Sequence, residues 1–205
     1  ENFWEARHRR DIRGLHSVTL QDDKVDQLNQ QLAVYLGQLN DGLNDAEMRW
    51  RFTLLSFAGE LESVGDILEK ELTALAIKQI QNGWVLGGEE EEALAMLYQK
   101  TARQFDRVLS LLATRDMNAA IGLIATKDEI SAWCTLQKRT HYQSLSPDPQ
   151  QVDSTLGFLD LIDSLRRINK HLATAAYSVH PNKAAVKEWV SGDEKALPAA
   201  APSIG

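Results

Sequence analysis

The sequence predicts an all-α protein, and three observations predict it. Apolar residues recur at spacings of three and four almost throughout, while strict alternation is rare. All five prolines, Pro147, Pro149, Pro181, Pro198 and Pro202, fall in the last third, so residues 1–146 can carry long unbroken helices. Hydrophobic residues make up 43% and charged residues 25%, the balance of a globular chain. No apolar run approaches the ~20 residues needed to span a bilayer, and no signal peptide is visible.

The elements follow in order. The first helix is expected from about Phe3 to Val18, with Arg7, Arg9, Arg10 and Arg13 on a solvated outer side. A second is expected to start after Asp22-Asp23, where acids suit the free amides of a helix start. Its apolar stripe is Val25, Leu28, Leu32, Tyr35, Leu36 and Leu39, and "NDGLND" at 40–45 breaks it. A long third helix carries Leu54, Phe57, Leu61, Val64, Leu68, Leu72 and Leu75 and fades near Asn82-Gly83.

"GWVLGG" at 83–88 reads as a linker, and the acids "EEEE" at 89–92 open a fourth helix through Leu94, Leu97, Phe105, Val108, Leu109 and Leu112. A short piece, "MNAAIGLIA" at 117–125, precedes a fifth helix from about Lys127 to Leu145. "SPDPQQ" at 146–151 makes a turn, and a sixth helix runs from about Val152 to Val179, ended by His180-Pro181. The tail at 183–205 is expected to dock by a turn of helix and then to be disordered.

Helices two and three are echoed by helices five and six. Val25 matches Ile130 at an offset of 105, and Leu61 matches Leu165 at 104, so the intervening loop differs by one residue. Two tandem three-helix bundles are therefore expected, at 1–82 and 88–182, joined by the linker. The copies share an apolar frame, "FAGELESVGDIL" (57–68) against "LIDSLRRINKHL" (161–172), yet Glu62 and Asp66 in the first become Arg166 and Lys170 in the second.

Charge and motifs exclude much. The net charge of −7 argues against nucleic acid as a partner. Cys134 is the single cysteine, which leaves no intrachain disulfide or thiolate metal site. The five histidines lack the spacings of metal-binding helices, and neither a nucleophile elbow nor a nucleotide-cradling glycine loop is present. No enzyme site is expected.

A duplicated three-helix unit with the acidic pattern "ELESVGD" on its long helix resembles the PhoU family of phosphate-signalling proteins. With "DDKVDQLNQQLAVYLGQL" at 22–39, it is most similar to the PhoU-like domain at the C-terminus of bacterial sodium/phosphate cotransporters. The resemblance implies a regulatory domain on the cytoplasmic face of the inner membrane. Its partner would be a transmembrane phosphate transporter domain, expected upstream in the same polypeptide because the chain begins at Glu1 rather than Met. A free-standing PhoU-type regulator that binds transporter and sensor kinase in trans, and a metal-binding helical bundle, are the alternatives.

The resemblance also implies a divalent or iron ion at the acidic face. Glu62 and Asp66 are one turn apart on one helix face, and a hard cation would offset their repulsion. Asp23 and Asp26 would contribute from the second helix, and Asp22 less so because it is expected to cap. A solvated acidic face, with Lys70 supplying local neutralisation, is the competing reading. Arg166 and Lys170 exclude a metal from the second copy and are free to pair with Asp128 or Glu129, or with a partner in a homodimer.

Overall fold

The computed structural model describes residues 3–39 and 42–179, and the expected tail at 183–205 and the stop at His180-Pro181 lie outside them. Six helices and no strand are found among the described residues. They are α1 (Phe3–His8), α2 (Ile12–Gln38), α3, α4 (Gly88–Thr114), α5 (Met117–Gln143) and α6 (Pro149–Val179). Helix α3 is continuous from Asp45–Ile67 through a π-helical turn at Leu68–Thr73 and on through Ala74–Gln81.

Local chemistry sets most boundaries. The Asn44 side chain accepts from the amides of Ala46 and Glu47 while Glu47 reaches back to the Asn44 amide, a capping box that starts α3. Glu90 closes on the Gly87 amide at 2.9 Å to start α4. Asp116 caps α5 through the Asn118 amide, and Pro149 takes the first helical position of α6 with Asp148 ahead of it. Arg115, with φ 54°, provides the left-handed residue that ends α4.

The start of α2 departs from expectation. The chain turns at Arg9–Asp11, where Arg10 has φ 56°, and α2 then runs unbroken through Asp22-Asp23. Acid pairs mark a helix start only where amides are free. Here the positions of Leu15, Val18 and Asp22, all buried, form one seam along a continuing helix. "MNAAIGLIA" is likewise the first part of α5, not a separate piece.

Helices α3 and α6 form the central antiparallel pair. Thr53 Oγ1 donates to the Ser178 carbonyl at 3.1 Å, His171 Nδ1 lies 2.8 Å from Glu60 Oε2, and Ser164 Oγ donates to Glu71 Oε2 at 3.0 Å. Residue numbers thus rise on one helix as they fall on the other. Helix α2 flanks α3, and α4 and α5 flank α6. Because it has neighbours on three sides, α6 buries most of its circumference, from Phe158 and Ile162 to Ala175 and Ala176.

Two pairs of helices begin at the offsets read from the sequence. Helices α2 and α5 each have 27 residues and start at Ile12 and Met117, 105 apart, while α3 and α6 start at Asp45 and Pro149, 104 apart. The third member of each set is unequal, because α1 has 6 residues and α4 has 27. The two sets share one continuous core that includes Phe3, Leu15, Phe57, Leu72, Leu97, Leu123, Phe158 and Leu172.

The linker joins that core. Trp84 and Leu86 are buried, and the Val85 carbonyl accepts from Ser154 at 2.9 Å. Gly157 lets the ring sit close, because a Cβ there would stand 3.0 Å from the Trp84 ring and make it give way by a few tenths of an ångström.

Two further expectations fail locally. Arg7 is buried, bonded to Glu91 Oε2 at 3.0 Å and Gln79 at 3.1 Å, because the short α1 folds across the ends of α3 and α4 instead of extending into solvent. The second half of α2 exposes Leu28 and Tyr35 of the expected stripe, with Val34 exposed as well, because this helix rests mainly on α3 and buries one narrow strip.

Candidate functional site

Running α2 through residue 22 places Asp22 and Asp26 one turn apart on the strip that faces α3. Opposite stands Asp66. Carboxylate oxygens of Asp22, Asp26 and Asp66 lie within 4.8 Å of one another, the one such convergence of three acids, histidines or cysteines among the described residues. Of the acids predicted from sequence, Asp26 and Asp66 belong to this group. Asp23 is exposed and Glu62 is half-buried one turn before Asp66, and neither joins it. Asp22, expected to cap a helix, supplies the third carboxylate.

Glycine makes the approach between helices possible. A Cβ at position 65 would collide with the Asp22 carboxylate, so Gly65 forms the floor on which that group rests. Asp22 is 7% exposed. Burial pushes its pKa from 3.8 up to about 6, followed by a hydrogen bond with Glu69 and the negative charges of Asp26, Glu69 and Asp66. On the solvent side, Lys70 Nζ donates to Asp66 Oδ1 at 2.5 Å.

The π-helical turn aims these groups. Thr73 Oγ1 donates to the Leu68 carbonyl five residues back at 2.8 Å, filling the widened turn. Within it Glu69 meets Asp22, Lys70 meets Asp66, and Glu71 pairs with Arg167 and Ser164 of α6. The matching stretch of α6 is plain α-helix. No sequence signal marked the π turn, because its residues keep ordinary helical periodicity.

Three carboxylates at this separation, one of them shielded from water, suit a hard cation that takes oxygen ligands, and below about pH 6 Asp22 would lose its proton on binding. The second copy has Lys127, Ser131 and Lys170 at the corresponding positions. Lys127 pairs with Asp128 and Lys100 with Glu129. Arg166 turns to Asp163 on its own helix, 2.7 Å away, so it does not use the acids expected for it. Burial works to raise the pKa of Asp163, but hydrogen bonds from Lys138 and Arg166 hold it below the usual carboxylate value.

A cleft of about 350 Å³ lies beside the π turn, lined by Lys70, Lys78 and Arg167 and also by Glu71, Asp160 and Asp163. Its charges balance, which gives an anion no advantage there. Cys134 is fully buried, with its thiol pushed up to about 11 by burial, so it is a packing residue and not a nucleophile. No helix among the described residues is long and apolar enough to cross a membrane. No protein-family model matches the chain, and neither a curated protein nor a solved structure matches it.

Proposed function

We propose that this chain is a PhoU-like regulatory domain of a sodium-dependent phosphate transporter, acting without catalysis at the cytoplasmic face of the inner membrane. The observation that carries this reading is the paired hairpin, repeated at offsets of 105 and 104, with converging acids on the first copy only. The domain works by packing, either against the transmembrane part or against a second copy. The exposed Leu28, Val34 and Tyr35 on α2 support such a surface. A divalent or iron ion, when bound, would be held by Asp22, Asp26 and Asp66 and would lock α2 to α3.

The test has two arms. Bilayer-spanning helices in the same reading frame, together with sodium-dependent phosphate uptake that changes on replacing Asp22, Asp26 and Asp66 by Asn, are the expected outcome. Uptake indifferent to those replacements and to deletion of the whole domain overturns the proposal. Metal analysis of the purified chain after dialysis against Ca²⁺, Mg²⁺ or Fe²⁺ is expected to find about one ion per chain, lost in Asp66→Asn.

A further inference from the structure

The contact that α1 makes with the ends of α3 and α4 leaves one strong donor over. Arg7 is 4% exposed, and its guanidinium commits Nε to Gln79 Oε1 at 3.1 Å and Nη1 to Glu91 Oε2 at 3.0 Å. The Trp4 ring holds the group in place, with Cζ 5.3 Å from the ring centre. Nη2 is buried and has no hydrogen-bond partner. A guanidinium is always charged and carries only donors, so this nitrogen calls for an oxygen acceptor. A charged donor left unmatched away from water is costly.

Arg7 lines a cavity of about 200 Å³ where α1, the end of α3 and the linker meet. The chain reverses just after it. Arg10, at φ 56°, donates its amide to the Arg7 carbonyl at 3.0 Å, and the tight turn brings His8 and Arg10 to the same cavity. Buried Trp84 and Leu86 supply an apolar wall, whereas His8 and Arg10 are exposed at the mouth. Of the acids at 89–92, Glu91 alone lines the cavity, and Arg7 already pairs with it. Two guanidinium groups therefore share the lining with one carboxylate, unlike the balanced cleft beside the π turn. Surplus positive charge in a recess with an apolar wall concentrates anions. The volume lies below the roughly 300–1,000 Å³ of sites for drug-sized ligands, which suits a small ion.

We propose that this cavity binds one small oxyanion of the phosphate type, taken up as the free ion. Nη2 of Arg7 donates to it from the buried side, and the Arg10 guanidinium closes on it from the mouth. Planar guanidinium donors suit phosphate oxygens in geometry as well as charge. A bound ion would tie the α1 turn to the linker between the two sets of helices. The inference uses neither the acidic group nor a transporter, and it stands or falls apart from both.

Titration of the isotope-labelled full chain with inorganic phosphate, followed by NMR at constant ionic strength, tests it. Saturable binding of about one ion per chain is expected, with shifts confined to residues 7–10 and 79–91 and to the Arg7 Nε–H signal. Arg10→Asn keeps the fold, because asparagine accepts a left-handed backbone, and is expected to weaken binding about tenfold. Arg7→Lys keeps the charge but loses the fork, and where circular dichroism shows it folded, binding is expected to disappear. Shifts that spread over the basic surface, fail to saturate or are reproduced by chloride overturn the proposal, as does equal affinity in Arg10→Asn. Glycerol 3-phosphate binding as tightly as inorganic phosphate would refute the assignment to a free ion.

Discussion

Asp22 is the residue on which the acidic group turns. Its carboxyl holds a proton more tightly in the folded chain than in the unfolded one, with a pKa of about 6 against 3.8. The folded state therefore binds more protons between those values, and stability falls as pH rises from about 4 to 6. The full shift corresponds to at most about 3 kcal/mol. Asp22→Asn is expected to stabilise the metal-free chain at pH 7 by about 1–3 kcal/mol and to flatten the profile between pH 4 and 6, as read by urea unfolding. Gly65→Ala is expected to cost about 1–3 kcal/mol through collision with the same carboxylate, a loss largely recovered in the double variant with Asp22→Ala. Sequence reasoning named Asp26 and Asp66 for the acidic face and ranked Asp22 below them as a helix cap, whereas the structure groups all three. An acid ahead of an apolar run looks the same whether it caps a helix or is packed against a glycine of the neighbouring helix. The usable signal was the Leu15, Val18, Asp22 spacing, which continues one seam through the supposed boundary.

Among the elements, α3 is the one that carries the asymmetry between the copies. Its π turn is held by Thr73 bonding back to Leu68, and Thr73→Val is expected to cost about 1 kcal/mol in thermal or urea unfolding. The same variant is expected to weaken the approach of Glu69 to Asp22, lowering the pH midpoint described above. Boundaries signalled by backbone chemistry were legible in the sequence: the break at 40–45, the acids after Gly87 and the prolines at 147 and 149 all fall where helices meet. The short α1 was not legible. Arg7, Arg9 and Arg10 look like a wet helix face, and only the presence of Gln79 and Glu91 at the ends of two distant helices makes Arg7 a buried clasp.

At the scale of the molecule, the offset repeat was readable from apolar positions alone, but the way the copies merge was not. Glycine-rich "GWVLGG" has the composition of a spacer. Its tryptophan is nonetheless drawn into the core because Gly157, far away in sequence, leaves room for the ring. With one shared core, the chain is expected to unfold in a single urea transition reported equally by fluorescence and circular dichroism. Residues 1–82 expressed alone are expected to lack cooperative unfolding. The central pair has a mechanical consequence. Thr53 to Ser178, Glu60 to His171 and Glu71 to Ser164 are cross-ties spread along its length. A slide of one helix along the other would have to break all three together. Motion passing through this spine must therefore come as a discrete ratchet step or a rolling of the pair, never as gradual creep.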